Sequence, residues 1–264
     1  MDFTIKSYTL LINTLKEAGY SFYSYADICE QNIYGRYVVL RHDIDKYPKN
    51  ALKIAQIEFE NNITSTYYFQ IKKKLFDTKI IKEIYKLNHE IGYHYNDLVD
   101  SHGDLPLAHR LFETNLKKFR SFVPVKTIAM HGSPMSRWDN RAIWEMNDYR
   151  KFGIIGEPYF DFLKLENVQY FTDTGRMWNG DRYNIRDRVD NHLKLKKNYK
   201  STLQPKIHNT FDFVKWLKSG NTPDIIMITT HPQRWTDNKL EWFIEFIGQS
   251  IKNVIKHFIT SFRE

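Results

Sequence analysis

Seven short stretches rich in β-branched and aromatic residues recur along the 264-residue chain, separated by segments whose apolar residues fall at helical spacing. Strands that alternate with helices pair in parallel, because each helix supplies the crossover that a parallel connection needs. The spacing predicts strands at 37–45, 65–71, 90–95, 127–132, 153–156, 168–173 and 224–231. Seven parallel strands point to an α/β fold in the form of a closed or nearly closed barrel. Residues 1–30 read as an N-terminal helical cap, 239–262 as a closing helix, and 176–209 as a polar, lid-like insertion. With 42% hydrophobic residues and no internal repeat, the chain suffices for a single domain spanning 1–264.

The first of these strands, Tyr37-Val38-Val39-Leu40-Arg41-His42-Asp43-Ile44-Asp45, ends in two carboxylates. Alternate side chains of a strand share a face, so Arg41, Asp43 and Asp45 point one way and His42 and Ile44 the other. Two like charges at that spacing call for a bound cation, or for a division of labour in which one carboxylate holds a metal and the other takes a proton. The competing reading is a capping turn before the next helix. Other strands also end in polar residues: His94 on the third, His131 on the fourth, Asp173 on the sixth and His231 on the seventh. The carboxyl ends of a parallel barrel share one mouth. Two Asp with two or three His suit Zn²⁺ or another borderline divalent ion, leaving one carboxylate and one imidazole for proton transfer.

These motifs resemble those of a known family. Arg41-His42-Asp43-Ile44-Asp45 is similar to the first motif of the polysaccharide deacetylases, the NodB-homology carbohydrate esterases; His89-Glu90-Ile91-Gly92-Tyr93-His94 resembles their second, and Ile226-Met227-Ile228-Thr229-Thr230-His231 their last. The resemblance runs from about residue 37 to 235. It implies a distorted seven-stranded (β/α) barrel that removes acetyl groups from N- or O-acetylated sugars. It also implies Asp43 as general base, Asp45 and His94 as metal ligands and His231 as general acid, with Zn²⁺ the expected ion and Co²⁺ or Ni²⁺ as alternatives. Asp173 falls where the family places an aspartate that orients the site. Arg176 is a candidate to hold a substrate hydroxyl, carboxylate or phosphate, and Trp178 and Trp235 are candidates to stack on a sugar ring.

Two departures stand out. The family carries a second histidine four residues after the first, where this chain has Leu98; its third motif contains an arginine and a proline, where this chain has Met130-His131-Gly132-Ser133-Pro134. His131, Asp97 and His102 are the available replacements. His131 is favoured, because it ends the strand after His94 and Gly132 leaves room for close approach, whereas Asp97 would crowd the site with negative charge. Its alternative role is to hold the base by a hydrogen bond in place of the family's arginine.

Lys and Arg number 39 against 31 Asp and Glu, a net charge of +8, with a sequence pI near 9.2. The basic clusters, Lys72-Lys73-Lys74 and residues 194–200, are short and read as solvated surface. Without an aromatic-basic motif or helix-turn-helix pattern, nucleic acid is not an expected partner. A single cysteine, Cys29, excludes an intramolecular disulfide framework and a cysteine-rich zinc site. No window reaches the length of a membrane span and the N-terminus lacks a signal-peptide pattern, so the expected location is cytoplasmic. The expected substrate is then a sugar met inside the cell, such as a nucleotide- or lipid-linked precursor of a surface polysaccharide. The alternative is a non-catalytic descendant of the fold that binds glycan or a protein partner, which the missing second histidine permits.

Overall fold

The computed structural model describes residues 1–163, 168–178 and 207–261. In chain order the elements are α1 (Ile5–Glu17), β1 (Ser21–Tyr23), α2 (Tyr25–Glu30), β2 (Tyr37–Ile44), α3 (Pro48–Glu60), β3 (Thr66–Phe69), α4 (Thr78–Lys86), β4 (Glu90–Tyr95), α5 (Asp97–Asp100), α6 (Leu105–Arg120), β5 (Ile128–Met130), α7 (Pro158–Asp161), β6 (Val168–Thr172), α8 (Thr210–Lys218), β7 (Ile225–Thr230) and α9 (Lys239–Ser261). Local chemistry sets several of the starts. Thr4 with Ser7, and Ser24 with Asp27, form reciprocal capping boxes at α1 and α2. The Asp77 and Asp104 side chains accept from backbone N–H groups at the starts of α4 and α6, and Pro48 opens α3.

The strands form one curled, all-parallel sheet in the order β5-β4-β3-β2-β7-β6, with β1 also on β2. β7 runs along one edge of β2; on the other, β1 takes Tyr37 to Val39 and β3 takes Arg41 to Ile44. Every residue of β2 is buried. That explains its near-continuous apolar run, since a parallel strand covered on both faces has no solvent side.

The α/β class and the parallel sheet stand, with two changes to the expected strands. The stretch 153–156 is reduced to one bridge, Thr127 to Gly156. Gly153, in the left-handed region at φ 68°, closes the 3₁₀ turn before it and leaves too little extended chain for a ladder. The count returns to seven through β1, three residues too short to show alternation. Residues 1–30 are therefore not wholly helical. Within them, the Tyr8 hydroxyl of α1 bonds Glu58 beside His42, on the outer face of β2. Of the expected lid-like insertion, 179–206 lies outside the described residues. Among the described residues no helix is long and apolar enough to cross a membrane.

The outer face of β2 carries a buried polar knot. Glu58, on α3, accepts at Oε1 from Tyr8 and stands 2.9 Å from His42 Nε2, while Oε2 accepts from Ser65 and Tyr67 at 2.6 Å each. Burial alone would raise its pKa, but His42, then His89 and the Ser65 hydroxyl, hold it down at about 2. One carboxylate thus joins α1, α3, β2 and β3.

Candidate metal centre

The inner face of β2 delivers Arg41 and Asp43, and the bend after it delivers Asp45. His94 comes from β4, His131 directly follows β5, and Asp173 and His231 directly follow β6 and β7. All five strands run the same way, so these groups meet at the carboxyl ends of the sheet, as the strand pattern predicts.

Asp45 is the hub. Its Oδ1 lies 3.4 Å from His131 Nε2 and 3.7 Å from His94 Nε2, and its Oδ2 lies 3.7 Å from His231 Nε2. Gln70, just past β3, fixes the carboxylate by donating Nε2–H to Oδ1 at 2.8 Å. The ligand atoms of Asp45, His94 and His131 all lie within 4.8 Å of one another, so this cluster can hold a metal ion. Ligands about 2.1 Å from a tetrahedral ion are about 3.4 Å apart, close to the spacings found here.

Each imidazole is turned to present Nε2. His94 Nδ1 is 3.0 Å from the Ala129 carbonyl, an acceptor only, so Nδ1 carries the proton. His131 Nδ1 is 3.0 Å from Asn96 Oδ1 and 2.8 Å from Ser133 Oγ, whose own hydrogen goes to Asn96. With Nδ1 so engaged, each imidazole turns Nε2 toward Asp45, where it can serve as a metal ligand. Burial would raise the pKa of Asp45, yet His131, His231 and His94 outweigh it and hold the carboxyl well below its usual range.

Asp43 stands behind this hub, with Oδ2 3.8 Å from His94 Nε2. Its carboxylate is forked by the Arg41 guanidinium, and that guanidinium lies between the rings of Tyr68 and Tyr159, 5.2 and 5.1 Å from their centroids. Tyr68 has room because β4 carries Gly92 opposite: a Cβ there would sit 2.2 Å from the Tyr68 ring. Although burial raises the Asp43 pKa, Arg41 and then His94 bring it below the ordinary value. Arg41 is thus the side chain that forks Asp43, and His131 faces Asp45.

His231 is held from behind by Asp173, whose Oδ1 is 2.6 Å from Nδ1 and whose Oδ2 accepts the His231 backbone N–H at 3.0 Å. Burial and Arg234 would lower the His231 pKa, but Asp173 and Asp45 raise it above the ordinary imidazole value. Asp173 is itself kept ionised, at about 2, by Arg234 and His231 against the cost of burial.

Three expected substrate contacts are buried. Trp235 is 1% exposed: its Nε1 donates to Asp173 Oδ2 at 2.9 Å and its ring packs edge-on against Phe3 and Tyr8, so it buttresses Asp173 rather than stacking on a sugar. Trp178 is also buried, donating Nε1–H to Thr210 Oγ1. Arg176 sits between Phe3 and Trp242, 5.2 and 4.6 Å from the ring centroids, with its charge turned into the protein. Asp173 is wholly buried and orients His231 without facing a substrate. Asp97 and His102 do not join the cluster: Asp97 is bonded to Tyr93 and Asn115, and the His102 ring packs edge-on against Trp138. The groups that sequence reasoning missed are Asn96, Ser133, Gln70 and Arg234. Only Arg234 left a trace, three residues after His231 on a turn that returns it to Asp173.

No protein-family model and no curated protein matches the chain.

Proposed function

We propose that the chain is a divalent-metal-dependent deacetylase of the NodB-homology type that hydrolyses an acetyl, or closely related acyl, group on a sugar. The observation that carries this reading is the joint presence, at one strand-end rim, of the Asp45–His94–His131 cluster, a forked carboxylate (Asp43) and an aspartate-backed imidazole (His231). Asp45, His94 and His131 would hold a Zn²⁺-like ion, which would supply Lewis-acid polarisation of an acyl carbonyl and a more acidic water near neutral pH. Asp43, kept ionised and oriented by Arg41, takes a proton from the attacking water. His231, with Nδ1–H fixed on Asp173, presents Nε2 and in its protonated form gives a proton to the departing amine or alcohol. Asp45 and His131 side chains are 26% and 21% exposed whereas Asp43 and His94 are nearly covered, so substrate approaches from the Asp45–His131 side.

The test is hydrolysis of a panel of N- and O-acetylated sugars by protein stripped of metal and then given Zn²⁺, Co²⁺ or Ni²⁺. Activity that chelator abolishes and metal restores supports the proposal. Full activity in metal-free protein ends it, and stoichiometric metal without hydrolysis across the panel favours a non-catalytic binding protein.

A further inference from the structure

α9 is built inside out. Glu245 and Gln249 are turned into the protein at 7% and 4% exposure, and half-buried Asn253 donates Nδ2–H to the Gly175 carbonyl at 3.0 Å. The outward side carries Leu240, Ile244, Ile247, Ile251 and Val254, 44 to 68% exposed, flanked by Phe243 and Ile255 at 55% and 41%. A helix packed on one globular body normally does the reverse.

The five seam residues follow one another at steps of four, three, four and three, the spacing with which one helix meets another along a coiled-coil seam. Seven large apolar side chains about half exposed offer, at roughly 100 Å² each, about 700 Å². This exceeds the largest apolar patch of most monomers and approaches the roughly 800 Å² that each partner buries in a standard interface. Gly248 borders the seam, and among the described residues a Cβ there would meet nothing within 4 Å. The packing of the described residues does not require that glycine, whereas a second helix lying close would use it.

The chemistry selects among occupants. A helix lying on a lipid surface carries Lys and Arg along its polar side. Here much of the polar side is buried against the protein, and between Leu240 and Ile255 the helix carries one cation, Lys252, against Glu241 and Glu245. The seam contains no charged residue, so it meets its own copy without like-charge repulsion, as a two-fold interface requires. We infer that the protein is a homodimer, closed by the outward faces of two α9 helices.

Sedimentation or light scattering of the full chain at micromolar concentration tests this. The expected mass is twice that of the 31.8-kDa chain. The double variant Ile247→Asp/Ile251→Asp should run at half that mass with an unchanged far-ultraviolet spectrum, because both side chains are exposed in the single chain. Should the double variant lose its fold, Ile251→Gln alone should still weaken the dimer at least tenfold. A wild-type monomer overturns the inference, as does a dimer that persists in the folded variant. A monomer that co-sediments with 3:1 phosphatidylcholine:phosphatidylglycerol vesicles overturns it in favour of a lipid surface.

Discussion

Arg41 grips Asp43 through two parallel hydrogen bonds, Nε to Oδ1 at 2.8 Å and Nη2 to Oδ2 at 2.7 Å, between residues two apart on one strand. The fork fixes the carboxylate plane and favours its ionised form, holding the Asp43 pKa below the ordinary value, as the proposed base requires. Arg41→Lys keeps a charge but loses the fork. We expect kcat to fall by about tenfold or more, and the acidic limb of the pH–rate profile to move to higher pH as the Asp43 pKa rises. An unmoved acidic limb would remove Asp43 from the role of base.

Asp43→Asn and Asp45→Asn should separate the two carboxylates. The first should lose about a hundredfold or more in kcat while retaining metal, and the second should lose both. Calorimetric titration of metal into each variant reads the difference, and equal metal loss in both would merge the assigned roles.

Asn96 touches the cluster only through His131 Nδ1, at 3.0 Å. Asn96→Ala should weaken metal binding by roughly 10–100-fold without removing a ligand, because the imidazole loses a partner that orients it. His131→Ala should cost more. If His131→Ala binds metal as the wild type does, His131 is not the third ligand.

Asp173 holds the proton on His231 Nδ1 and raises that imidazole's pKa. A general acid must be protonated, so activity falls as pH rises through its pKa. Asp173→Asn lowers that pKa and should shift the alkaline limb to lower pH, with a fall in kcat of about a hundredfold. A drop in kcat with the alkaline limb in place would mean that Asp173 serves folding alone.

Asp97 gives a stability prediction away from the chemistry. Burial outweighs its hydrogen bonds from Tyr93 and Asn115 and pushes its pKa up from 3.8 to about 7. The folded state therefore holds a proton that the unfolded chain releases near pH 4, and stability from this group drains away as pH rises from about 4 to 7. The melting temperature of wild type minus that of Asp97→Asn should fall across that window and level off above it. A difference independent of pH would contradict the raised pKa.

The sequence was most informative where chemistry and strand periodicity coincide. Arg41, Asp43 and Asp45 share a face because alternation along β2 compels it, and His94, His131 and His231 converge because parallel strands end at one rim. The nearness of His131 to His94 was legible for the same reason, since it follows the strand that pairs with the one bearing His94. The failures have a common cause as well. Trp178, Trp235 and Arg176 lie in turns, where no period says which way a side chain points, and aromatic residues serve a core as readily as a sugar site. The Glu58 knot was hidden because its members are dispersed along the chain, with Tyr8 and Glu58 fifty positions apart.

β2 is paired along most of its length on one edge by β7, and His42 meets Thr230 across 188 positions of chain. Such a pairing raises contact order: the loop-closure entropy between the first motif and the last must be overcome before either gains from the other. During synthesis, the segment bearing Asp43 and Asp45 leaves the ribosome long before the one bearing His231. A nascent chain that stops short of β7 has an open edge on its central strand and lacks His231 beside Asp45. The His231–Asp45 pair is therefore assembled late, as a consequence of finishing the sheet.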